Sequence, residues 1–116
     1  IRPTIFANVP ASARIAQEEI FGPVLSCTPF ETAEEALTLA NDTTYGLAAG
    51  VYTGNINVAH RMADRLDAGM IFVNRYGCYG LSSPFGGFKE SGWGKEMAIH
   101  SLSSYTKTKG VWIAYG

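Results

Sequence analysis

Apolar positions along this chain fall into two alternating rhythms. Short runs of adjacent apolar residues mark strands, and spacings of i, i+3, i+4 and i+7 mark helices. Residues 4–7, Thr-Ile-Phe-Ala, read as a short strand. A short helix is expected to open at Pro10 to Ser12 and run through Ile15 to about Glu19. Gly22-Pro23 stops it, because proline has no N–H to donate and restricts the residue before it. Residues 24–30 then read as a strand.

Thr32 and Glu35 have the Thr-x-x-Glu spacing of a capping box. Behind them Ala33, Ala36, Leu37 and Ala40 lie on one helical face. Residues 47–53 read as a second strand after the Thr-Tyr-Gly turn. Asn55 can cap a further helix, in which Ala59, Met62, Ala63 and Leu66 repeat the helical spacing. Gly69 is placed to end that helix. Residues 70–74 read as a third strand, apolar enough to be covered on both faces.

Strand, helix, strand, helix, strand is a pair of β-α-β units. The fold class is therefore α/β, with a parallel sheet of β-α-β-α-β type joined by right-handed crossovers. Three strands make a thin sheet that needs partners on at least one edge. Residues 75–94 form a glycine-rich loop holding Gly77, Gly80, Gly86, Gly87, Gly92 and Gly94, with Pro84 among them. Loops of that length are usually functional or held by a partner surface. A last helix is expected from Lys95 to about Tyr105. A terminal strand follows over 106–116, ending apolar through Val111-Trp112-Ile113-Ala114-Tyr115. An apolar strand at a chain end is an aggregation hazard unless it pairs, so it is expected to join another sheet.

Composition narrows the function classes. The chain has 116 residues, 47% of them hydrophobic, and a net charge of −1. That is one domain, burying roughly two thirds of its unfolded surface if it folds alone. Scattered charge without a basic stripe argues against a nucleic-acid partner, and no apolar run is long enough for a membrane span. Cys27 and Cys78 are too few for a disulfide scaffold, which makes a reducing, cytoplasmic compartment the default. The first residue is Ile1, not methionine, which suggests a processed or partial chain.

Three blocks carry a resemblance. The first is Glu18-Glu19-Ile20-Phe21-Gly22-Pro23-Val24. The second is Asn41-Asp42-Thr43-Thr44-Tyr45-Gly46-Leu47-Ala48-Ala49-Gly50-Val51. The third runs Ser83-Pro84-Phe85-Gly86-Gly87-Phe88-Lys89 and on through Glu90-Ser91-Gly92-Trp93-Gly94-Lys95-Glu96. In this order and spacing they resemble the last quarter of the aldehyde dehydrogenase superfamily, over essentially the whole chain. The resemblance implies the carboxy-terminal part of the catalytic domain over residues 1–105 and the terminal strand of the oligomerisation region over 106–116. It also implies an NAD(P)-dependent oxidation of an aldehyde to a carboxylic acid. In that chemistry a cysteine thiolate attacks the carbonyl, amide donors hold the oxyanion, hydride passes to nicotinamide and a glutamate activates water.

The resemblance places the nucleophile, the base and the dinucleotide motif in segments other than these, so no catalytic residue is assigned here and the chain alone is expected to be inactive. The cofactor-binding residues it implies are Glu19 and Phe21, serving NAD or NADP. Glu19 would accept hydrogen bonds from the two hydroxyls of the nicotinamide ribose, and Phe21 would pack beside the nicotinamide riboside. Charge-assisted bonds of that kind are worth about 1.5–3 kcal/mol each. Without the resemblance, a Glu-Glu pair reads as a solvated helix end, and Glu18 retains that structural reading. Tyr79 and Phe85 are implied as substrate-pocket walls, with Tyr76 and Cys78 nearby. An aromatic wall excludes water and suits an apolar or cationic aldehyde. The alternative is that these rings simply pack their loop.

The remaining candidates are weaker. Cys78 lies in a loop with no basic group arranged to lower its pKa, and Cys27 is expected to be a buried small hydrophobe in its strand. His60 and His100 stand singly, so no metal site is expected. The glycine-rich block lacks the Gly-Lys-Ser/Thr ending of a phosphate loop. Several family members carry an acidic or amide residue where Lys107 stands, able to pair with the basic residue matching Lys95. Two lysines here would repel if they lay close, which puts that subunit contact in doubt. The expected partners are a small-molecule aldehyde and further copies of the chain, as a homo-oligomer built through the terminal strand. A non-catalytic oligomerisation or binding module is the second reading.

Overall fold

A computed structural model describes all 116 residues. The chain is a mixed α/β structure with parallel strands. In order it runs β1 (Thr4–Phe6), α1 (Arg14–Gln17), β2 (Val24–Ser26), α2 (Ala33–Asn41), β3 (Tyr45–Gly46), β4 (Ala48–Val51), α3 (Ile56–Arg65), β5 (Met70–Val73) and β6 (Phe88–Lys89). A 3-10 turn over Ile99–Ser101 leads into α4 (Leu102–Tyr105).

The strands pair in twos. β1 and β2 are parallel, with Ile5 opposite Leu25. β4 and β5 are parallel, with Ala49 opposite Ile71. β3 and β6 are antiparallel, with Tyr45 opposite Lys89. The expected β-α-β-α-β order is present, but its first and second strands are not hydrogen-bonded neighbours: β2 pairs with β1, and β4 pairs with β5.

Local chemistry sets the helix starts. Thr32 Oγ1 accepts from the Glu35 amide at 3.1 Å, and the Glu35 carboxylate reaches back to the Glu31 amide at 2.8 Å. The capping box thus closes one residue earlier than the usual reciprocal bond. Asn55 Oδ1 accepts from the amides of Asn57 and Val58 at 2.9 and 3.3 Å. α2 and α3 are tied by Glu34, which meets Arg65 at 2.6 Å and Arg61 at 3.3 Å. Asn41 adds two bonds, donating to the Arg65 carbonyl and accepting from the Asp67 amide, both at 2.9 Å.

The core is small. Leu37, Val51, Met62 and Leu66 form its centre, with Ala36, Ala49, Val58 and Ile71 packed against it. Met62 and Leu66 come from the expected face of α3, while Ala63 is exposed. Ile5 and Leu25, by contrast, leave one face of the β1–β2 ladder uncovered.

Several boundaries differ from the sequence expectation. β2 ends at Ser26, not residue 30. The Cys27 amide bonds back to Phe6, its carbonyl accepts from Val9, and Pro29 has no donor to offer. Cys27 is exposed instead of buried, because it shares the uncovered side of that ladder with Leu25. The last helix shrinks to the 3-10 turn and α4. Glu96 is held instead in a two-bond bridge with Phe85, and Met97 and Ala98 have φ of 60° and 48°, outside the helical region. Residues 106–116 lie exposed with no ladder partner inside the chain. No helix is long and apolar enough to cross a membrane.

Gly69 does not cap α3, which ends at Arg65 with Leu66 extended. It serves a close approach. A Cβ on Gly69 would lie 1.7 Å from the Gly86 carbonyl oxygen and 2.9 Å from Lys95 Nζ. Backbone cannot yield there as a flexible side chain would. Gly69→Ala is therefore expected to lower unfolding stability by about 3 kcal/mol or more, whereas Gly54→Ala, with open space around it, stays within about 1 kcal/mol. Denaturant titration of the two variants checks this, and equal midpoints would contradict it.

Candidate functional site

Glu18 and Glu19 leave α1 together but meet different fates. Glu18 returns to Arg14 through a two-pronged contact, at 2.9 Å to Nε and 2.7 Å to Nη2. That hydrogen bonding holds the Glu18 carboxyl below its ordinary value of 4.5. A lowered carboxyl pKa stabilises the fold above the unfolded value, and the benefit fades as pH falls through the folded one. Both side chains are exposed, so water screens most of the energy. The Glu19 carboxylate is exposed and takes part in none of the ion pairs. It keeps its lone pairs free for a ligand.

Phe21 adopts φ of 54° with its ring 92% exposed. A bulky residue in the left-handed region is costly and persists only where surroundings enforce it. The tight turn that follows it runs through Gly22-Pro23, where the Val24 amide donates to the Gly22 carbonyl at 2.7 Å. Glu19 and Phe21 line a shallow depression of about 490 Å³ bounded also by Ile15, Ile20 and Val24.

The second pair sits past the carboxyl end of β5, where ligands of parallel α/β sheets characteristically bind. Phe72 is buried in β5 and anchors a line of rings. Tyr76 lies 4.9 Å from it, Tyr79 lies 6.3 Å from it, and Phe85 lies 5.7 Å from Tyr79, all tilted. Tilted pairs at these separations are attractive beyond the area they bury. Tyr79 and Phe85 are thus brought into contact. They do not line the depression beside Glu19 and Phe21. Cys78 is exposed in the same loop.

Three positions that sequence reasoning did not assign hold this loop. Lys95 Nζ donates to the carbonyls of Gly86 and Gly87 at 2.7 and 3.2 Å and sits 4.5 Å above the Phe88 ring. Its charge is therefore absorbed by its own loop. Lys89 Nζ donates to the carbonyls of Asn41 and Thr43 at 2.9 and 3.1 Å and meets Asp67 at 3.3 Å. A cation at the end of α2 also suits that helix's dipole. Phe72 is the third, the buried root of the ring line. The sequence signal for both lysines was their place in the third matching block, Lys89 inside the glycine-rich stretch and Lys95 just after it.

Phe85 exchanges two backbone bonds with Glu96, at 2.8 and 2.6 Å, so Lys95 grips the turn right beside that ring. Lys95→Met keeps the stem but removes the charge and the donors. It is expected to speed chymotryptic cleavage after Phe85 and Phe88 by about tenfold, while Lys95→Arg stays within about threefold of the parent. Equal digestion rates for Lys95→Met and the parent would contradict the clamp.

The aldehyde dehydrogenase family matches residues 1–111 by its sequence profile. The NADP/NAD-dependent aldehyde dehydrogenase PuuC of Escherichia coli is 49% identical over 98% of this chain. Betaine aldehyde dehydrogenase 1 of Rhizobium meliloti is 45% identical over 100% of it. Among solved structures, an indole-3-acetaldehyde dehydrogenase in complex with NAD+ superposes with a TM-score of 0.91 at 53% identity, over 97% of this chain. An NAD+ complex of an aldehyde dehydrogenase from Bacillus cereus gives 0.92 at 44%. The chain spans about 23% of the length of these proteins. With a family profile covering nearly every residue and such close structural agreement, the chain belongs to the aldehyde dehydrogenase family.

Proposed function

We propose that these residues form the carboxy-terminal part of an NAD(P)-dependent aldehyde dehydrogenase that oxidises an aldehyde to a carboxylic acid in the cytoplasm. The observation that carries the reading is the division of labour at residues 18 and 19. One carboxylate is locked to Arg14, and its neighbour stands free beside an exposed ring. Glu19 would accept one O–H bond on each oxygen from the ribose diol of the nicotinamide half, and Phe21 would limit how that ring swings. The residues fit the group: a carboxylate free to accept from a vicinal diol and a flat apolar face for a flat heterocycle. The NAD+ complexes of similar proteins support a nicotinamide dinucleotide as the cofactor.

The cofactor supplies the hydride acceptor. The thiol that forms the thiohemiacetal comes from polypeptide outside these residues, as does the water-activating base. Tyr79 and Phe85 contribute an aromatic wall to the substrate channel and exclude water from it. The exposed Val111, Trp112, Ile113 and Tyr115 support a terminal strand that joins a sheet in a partner subunit.

Two measurements test this. The longer protein is expected to reduce NAD or NADP in an aldehyde-dependent way, and the purified 116-residue chain is expected to show no such turnover. In the longer protein, Glu19→Gln should slow hydride transfer by about tenfold or more while the KM for aldehyde moves by less than about threefold. Glu18→Gln should leave both nearly as they were. Unchanged pre-steady-state rates in Glu19→Gln would remove the ribose role.

A further inference from the structure

We propose that Lys95 is a positioning residue for substrate selection. By gripping the backbone next to Phe85, it fixes where that ring stands in the substrate wall, and so sets how strongly a long apolar aldehyde is preferred to a short one. This rests on the proposed reading of Tyr79 and Phe85 as that wall, and it places the wall's support outside the wall.

The backbone that follows Phe85 is wedged between two surfaces. On one side is Gly69, where an added Cβ would lie 1.7 Å from the Gly86 carbonyl oxygen. On the other are Gly94 and Lys95. A Cβ added to Gly86 would meet the Gly94 carbonyl at 2.5 Å and Lys95 Cδ at 3.0 Å. Backbone packed this closely shifts only if its neighbours shift with it.

Lys95 closes the stack with hydrogen bonds. Its Nζ donates to the carbonyls of Gly86 and Gly87 and stands over the Phe88 ring. It takes part in none of the ion pairs. The ammonium is therefore oriented by two carbonyls and a ring face, with no carboxylate to draw it elsewhere. Removing it strips both carbonyls of their donor.

The residues that follow carry the grip onto the ring's own peptide. Glu96 exchanges two backbone bonds with Phe85, and the Ala98 amide donates to the Leu81 carbonyl at 2.9 Å. Lys95, Glu96 and Ala98 thus form a strap along the loop that holds Phe85. The strap is strained, with Met97 at φ of 60° and Ala98 at φ of 48° and ψ of −168°. Residues with a Cβ rarely adopt the second conformation, which persists only where surrounding contacts over-determine it. Lys95 supplies such a contact at the start of the strap. Without it the strap has a downhill route to relax, and Phe85 moves with Glu96.

Phe85 has little else to hold it. Its ring meets Tyr79, which is itself exposed, and neither ring belongs to the core cluster. Its placement therefore follows the backbone. One methylene in an apolar pocket changes kcat/KM by about tenfold or more, so a ring free to swing forfeits preference on that scale.

The longer protein, assayed with hexanal and acetaldehyde, tests this. Lys95→Met is expected to lower the ratio of kcat/KM for hexanal over acetaldehyde by about tenfold, through the KM for hexanal and not through kcat. Lys95→Arg keeps the charge and the donors and is expected to hold the ratio within about threefold of the parent. Without any turnover, the Phe85 and Glu96 amides are expected to exchange with solvent about tenfold faster or more in Lys95→Met, while the Cys27 amide in the distant β1–β2 ladder keeps the parent's rate. Unchanged exchange at Phe85 and Glu96 would overturn the role. So would lost protection at Cys27 as well, which marks a general loss of folding, or an equal fall in kcat for both aldehydes in both lysine variants. Phe85→Ala separates the two levels. A ratio that falls in Phe85→Ala but holds in Lys95→Met overturns the positioning role alone. A ratio unmoved in Phe85→Ala removes the wall reading, and the role of Lys95 with it.

Discussion

The β4–β5 ladder is the constraint on which the rest of the structure depends. Its register pairs place Val51, Ala49 and Ile71 on the face that Leu37 of α2 and Met62 and Leu66 at the end of α3 cover, and turn Phe72 to the other face, toward Tyr76. Near 25 cal/mol per Å² of apolar surface, that contact is the main stabilising term the chain has on its own. The ladder's ends are pinned by side chains. Asn74 exchanges two bonds with Thr53, at 2.8 and 3.0 Å, and so closes the carboxyl end of both strands. At the other end Gly69 admits the Gly86 carbonyl so closely that no side chain fits between them. The glycine-rich loop therefore folds back against the start of β5, while its rings hang from Phe72 inside the same strand.

This arrangement explains how so small a core can hold an ordered aromatic wall. The loop is not stabilised by burial alone. Lys95 satisfies the Gly86 and Gly87 carbonyls within the loop, and Lys89 ties the loop to the Asn41 and Thr43 carbonyls at the end of α2. Ser91 Oγ adds a third tether by accepting from the Gly46 amide at 3.0 Å. Charge-assisted bonds to backbone replace the hydrophobic contacts that a loop of this composition cannot make. The Arg14–Glu18 contact fixes the end of α1, while the neighbouring Glu19 carboxylate takes part in no ion pair.

Much of this was legible in the sequence, and the misreadings have physical causes. Both helix caps and the core face of α3 followed from spacing, because those signals are local. The pairing of strands was not local. Apolar runs identified β2 and β4 but could not show that each pairs with a different partner, β1 and β5. Cys27 was misread because burial of a strand residue requires a cover, and the face it shares with Leu25 has none. Gly69 was taken for a helix terminator when its role is set by a residue seventeen positions later. Lys95 was read against Lys107, yet its partners are the Gly86 and Gly87 carbonyls. The rings of Tyr79 and Phe85 meet in the structure, but Phe72, which roots them, looked like any other strand residue.

On the proposed reading, these residues contribute a supporting chemistry: a ribose clasp and an aromatic wall, with the reactive thiol supplied from outside. Acyl-adduct mapping tests that claim most directly. The longer protein is turned over with an aldehyde and a limiting nicotinamide cofactor, quenched in acid, and its peptides are analysed by mass spectrometry. The account predicts a thioester on a cysteine outside residues 1–116, with Cys27 and Cys78 unmodified. A turnover-dependent acyl group on either of those two cysteines would contradict it.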